Sequence, residues 1–116
     1  MITIYLDGSA VLESGAGDWL SHLLDTDHEL VLVAPPDHPG TSLMAWAGHL
    51  PAMPDPPAPG SWFVTADPDT CGDRQAGLRT MLVGPRAGTT RPTRCDSTAR
   101  DLREAVLEIL AAHAMD

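Results

Sequence analysis

Lysine and asparagine are absent from the 116 residues, phenylalanine and tyrosine occur once each, and cysteine occurs twice. The first absence sets the charge pattern: all seven basic residues are arginines, against sixteen acidic ones, for a formal charge of −9. Dispersed arginines in so acidic a chain make no basic face able to displace counterions from phosphates. That excludes nucleic acid as a partner and disfavours anionic membranes. Long apolar runs are missing as well: Leu30–Ala34 is strand-sized, far below the roughly 20 residues that span a bilayer. The segment Met1-Ile2-Thr3-Ile4-Tyr5-Leu6-Asp7 has no basic stretch ahead of an apolar one. Neither a secretory leader nor a membrane anchor is therefore expected, and the cytoplasm is the expected location. Cys71 and Cys95 match no metal-ligand spacing and are too few for a disulfide framework, so two reduced thiols are expected.

What is present suffices for one core. With 43% hydrophobic and 20% charged residues, a chain of this length buries roughly two thirds of its unfolded surface, so residues 1–116 are read as a single domain. Abundant Ala, Gly, Pro, Asp and Arg beside scarce Lys, Asn, Ile, Phe and Tyr match the codon usage of a GC-rich genome, which points to a bacterial source.

Along the chain, Ile2–Leu6 reads as a buried strand stopped by a turn at Asp7-Gly8-Ser9. Trp19, Leu20, Leu23 and Leu24 share a helical face after Gly17-Asp18. Glu29–Ala34 is continuously apolar after its first residue, as in a parallel strand covered on both faces. Thr41 can cap a short helix presenting Leu43, Met44, Ala47 and Leu50. The proline-rich stretch 51–60 has too many prolines for helix or central strand and reads as a stiff surface loop. Ser61–Ala66 and Arg79–Gly84 read as further strands, with a short helix stopped by Gly77 between them and a loop from Pro85 to Ser97 behind them. Leu102, Ala105, Val106, Ile109 and Leu110 then fall at helical spacing, with Arg100 and Glu104 as an i,i+4 pair.

Strands alternating with helices predict an α/β fold: one Rossmann-like three-layer domain whose mostly parallel sheet of four or five strands is flanked by helices. Such sheets bind ligands at the carboxyl ends of their strands. Two acidic loops lie there, Asp7-Gly8-Ser9 and Asp67-Pro68-Asp69. If their strands are neighbours, Asp7 converges with Asp67 or Asp69, and carboxylates on one rim are what Mg²⁺ takes. Aspartate is equally the favoured turn and helix-capping residue, and Asp69 reads as well as a cap as a ligand.

The order of apolar strand, Asp7-Gly8-Ser9, helix, strand 30–34, then Trp62-Phe63-Val64-Thr65-Ala66-Asp67 and Ala76-Gly77-Leu78-Arg79-Thr80-Met81-Leu82-Val83-Gly84 resembles a small haloacid dehalogenase-like (HAD) protein. The resemblance covers most of the chain and leaves no room for a cap domain. It implies, in active phosphatases, an Asp nucleophile with an Asp acid/base two residues on. Matching Gly8-Ser9 to the family's Gly-Thr makes Asp7 the acid/base and puts Tyr5 in the nucleophile's place. Taking Asp7 as nucleophile instead puts Ser9 in the place of the acid/base. Either register loses one carboxylate. The hydroxyl expected after the second strand falls near Ala34, Pro35 and Pro36, and the charge-neutralising cation of the third motif has no lysine to supply it. Asp67 matches the fourth, acidic motif.

The resemblance thus implies a HAD-like domain with a degenerate active site, a pseudoenzyme acting through a protein partner or as a homo-oligomer. The alternative is a Mg²⁺-dependent hydrolase, a capless phosphatase with Asp7 as nucleophile, metal at Asp7, Asp67 and Asp69, and loop arginines such as Arg86 on the phosphate. A flavodoxin- or receiver-like domain is a third reading, against which the missing lysine also counts. His22, His28, His38, His49 and His113 lack ligand spacing and are expected on the surface. Trp46 lies off its helix's apolar face and, beside the prolines, is the candidate anchor for a partner.

Overall fold

A computed structural model describes residues 2–14, 28–35, 37, 39, 48–52, 60–67, 78–84 and 95–114. The elements are β1 (Ile2–Asp7), α1 (Gly8–Ser14), β2 (His28–Val33), β3 (Gly48–Leu50), β4 (Trp62–Thr65), β5 (Arg79–Val83), β6 (Ser97–Ala99) and α2 (Leu102–Ala114). The strands form one six-stranded sheet in the order β3-β2-β1-β4-β5-β6, every pair parallel. This is the predicted α/β plan with more strands than the four or five expected.

Register explains why the strands read as unbroken apolar runs. Leu32, Leu6, Val64 and Met81 lie level across four strands, and each is 2% exposed or less. One residue earlier on each strand, Val31, Tyr5, Phe63 and Thr80 form the matching row on the opposite face, also buried. With both faces covered there is no polar side to alternate with. Burial of each large side chain is worth about 1.5–3 kcal/mol.

The first face carries the two described helices. Ala10 and Val11 of α1 and Leu102, Ala105, Val106 and Ile109 of α2 join its core cluster. Helix α2 begins as its chemistry dictates: Asp101 Oδ1 accepts from the Glu104 backbone N–H at 2.8 Å, an N-cap bond. Glu104 turns back to Arg100, whose Nε donates to Oε2 at 2.9 Å, so the expected i,i+4 pair is formed. No described helix is long and apolar enough to cross a membrane.

Four expectations are corrected. Asp7-Gly8-Ser9 is not a turn, since β1 runs through Asp7 and α1 starts at Gly8 without a loop. Gly48, His49 and Leu50 form an edge strand rather than the end of a helix, because pairing with Val31–Val33 outweighs the helical spacing of Leu50. Ser97 does not close a loop but opens β6, which pairs with Met81–Val83. Cys95 is not a reduced thiol but disulfide-bonded. The expected helix around Trp19–Leu24 and most of the proline-rich stretch 51–60 lie outside the described residues. The end of that stretch, Gly60, has φ +70°, a left-handed conformation glycine adopts without strain as the chain turns into β4.

Candidate functional site

In an open parallel sheet, ligands bind beyond the carboxyl ends of the strands where the strand order reverses. The chain steps outward from β1 to β2 and β3, then returns to the other side of β1 with β4, β5 and β6. The reversal therefore lies between β1 and β4. Asp7 ends β1 and Thr65 ends β4. Since Leu6 is level with Val64, Asp7 and Thr65 are level too, and period-two alternation turns them to the face of Tyr5 and Phe63.

These residues form one hydrogen-bonded network with Ser9 in the first turn of α1. Ser9 Oγ donates to Asp7 Oδ2 at 2.6 Å, and Thr65 Oγ1 donates to the same oxygen at 2.8 Å. The two hydroxyl oxygens lie 3.2 Å apart. Each is in turn held by backbone: the Ala66 N–H donates to Ser9 Oγ and the Asp67 N–H to Thr65 Oγ1, both at 3.1 Å. Thr65 is fully buried, whereas Asp7 and Ser9 are half-buried. Every hydroxyl proton has an acceptor and every hydroxyl oxygen a donor, so the carboxylate is fixed from both strands and the helix. Bonds of this kind to an ionised group are short and about twice as strong as neutral ones. Asp7 Oδ1 accepts no hydrogen bond from the described residues.

The structure makes β1 and β4 neighbours, as convergence of the acidic loops required. What it brings to Asp7 is the Thr65 hydroxyl and the Asp67 backbone, while the Asp67 residue itself is exposed. Asp69, Trp46 and Arg86 lie outside the described residues. Among the described residues, no three His, Cys, Asp or Glu side chains stand together as a metal site. Tyr5, the alternative occupant of the nucleophile's place, is 5% exposed in the row between Val31 and Phe63. It lies within the core, two residues short of the rim.

At the end of β2, where the resemblance calls for a phosphate-holding hydroxyl, Ala34 is buried and its N–H donates to Leu50 O at 3.0 Å. Its carbonyl lies 2.8 Å from His49 Nε2, which must carry the proton because a carbonyl only accepts. His49 is exposed on the edge strand as expected, but its ring is tied to β2.

Thr65 is the site residue that sequence reasoning missed. The signal was there in its parity with Asp7, since both close strands that present Tyr5 and Phe63 to one face. Compared with models of protein families, with curated proteins and with solved structures, the chain matches none.

Proposed function

We propose that the chain is a capless HAD-like domain that lacks working phosphoryl-transfer machinery and acts by binding, to a protein partner or to a second copy of itself. One observation carries the reading: the hydroxyl standing in the acid/base place, Ser9 Oγ, is bonded to Asp7 itself at 2.6 Å. A general acid/base must face the leaving-group oxygen and titrate near the working pH. A serine hydroxyl turned onto the carboxylate does neither. The chain also has no lysine to balance the charge of a transferring phosphoryl group, a loss of several kcal/mol of transition-state stabilisation on the order of other oxyanion-binding groups. A cytoplasmic setting belongs to the same reading.

The phosphatase reading stands second because Asp7 is held still by two hydroxyls while its Oδ1 accepts no bond from the described residues, as a nucleophile requires. Mg²⁺ prefers six oxygens, usually one or two carboxylates with waters and substrate phosphate. The described residues present one open oxygen of Asp7 and the exposed Asp67, a thin donor set for that ion, and no step of the leading reading passes through it.

Hydrolysis of a generic aryl phosphate with Mg²⁺, measured for the native chain and for Asp7→Asn, separates the two. Equal background rates are expected. Turnover that disappears in Asp7→Asn overturns the leading reading, and sedimentation of the native chain as a strict monomer removes its self-association arm.

A further inference from the structure

No further inference is drawn: the strongest candidate, the shallow groove on the outer face of α2 where exposed Leu107 and Ala111 stand among Arg100, Arg103, Glu104 and Glu108, offers one large apolar side chain among charges of both signs, and nothing in the structure shows what covers it.

Discussion

A single hydroxyl, Thr65 Oγ1, donates to the Asp7 carboxylate and accepts from the Asp67 backbone while fully buried. Replacing it with valine keeps the shape but removes one of the two bonds to Asp7 Oδ2 and the acceptor of the Asp67 N–H. Losing these bonds costs about 1 kcal/mol, so Thr65→Val is expected to lower the urea midpoint accordingly and Thr65→Ser to restore most of the loss. Equal stability of the valine variant and the native chain would mean that the network holds nothing together. At this scale the sequence was half legible. Asp7 and Ser9 stand out because Asp-Gly-Ser after an apolar strand is unusual chemistry in a short span. Thr65 does not, since threonine is an ordinary strand residue, and its role arises only when β4 lies beside β1 in this register.

Among the elements, legibility followed the amount of apolar surface each one buries. β1, β2, β4, β5 and α2 each carry three or more apolar residues in a run or a helical stripe, and each lies within about two residues of its expected place, an ordinary uncertainty for element ends. The edge strands β3 and β6 were missed. Gly-His-Leu and Ser-Thr-Ala are short and partly exposed, and neither has a periodicity of its own: they are strands because β2 and β5 offer them a ladder. The disulfide was missed for a like reason, since pairing depends on what the fold brings near Cys95. Local chemistry governs the start of α2, where the Asp101 cap precedes a stripe of buried residues. Asp101→Ala should cost about 1 kcal/mol, read as a lower thermal midpoint with no change in the urea slope. Beside the cap, the hydrogen bond that Arg100 donates to Glu104 and the charge of that carboxylate raise the guanidinium above its usual range, so this cation remains charged throughout the accessible pH range.

For the whole molecule, stability rests on a core cluster that draws on β1, β2, β4, β5, β6 and both described helices. Its last third comes from one contiguous piece of chain: Ala99, Leu102, Ala105, Val106 and Ile109. A protein ending before Cys95 would expose the face of Val64 and Met81 that α2 helps to cover. Net stabilities of single domains are only about 5–15 kcal/mol, and removing several fully buried side chains exceeds that margin. Such a truncated chain is expected to lose its cooperative thermal transition by circular dichroism, and a sharp transition retained at the native midpoint would show that the helix is dispensable.

The pairing of Tyr5 with Phe63 has an optical consequence. Tyr5 is the chain's one tyrosine, and its level partner Phe63 is flanked in β4 by the buried Trp62. Adjacent strands run about 4.8 Å apart, so light absorbed by the phenol passes to the indole of the next strand whenever β1 and β4 are joined. Tyrosine emission, quenched in the assembled sheet and bright once these two strands part, reports from within the protein on the strand pair that carries Asp7 and Thr65.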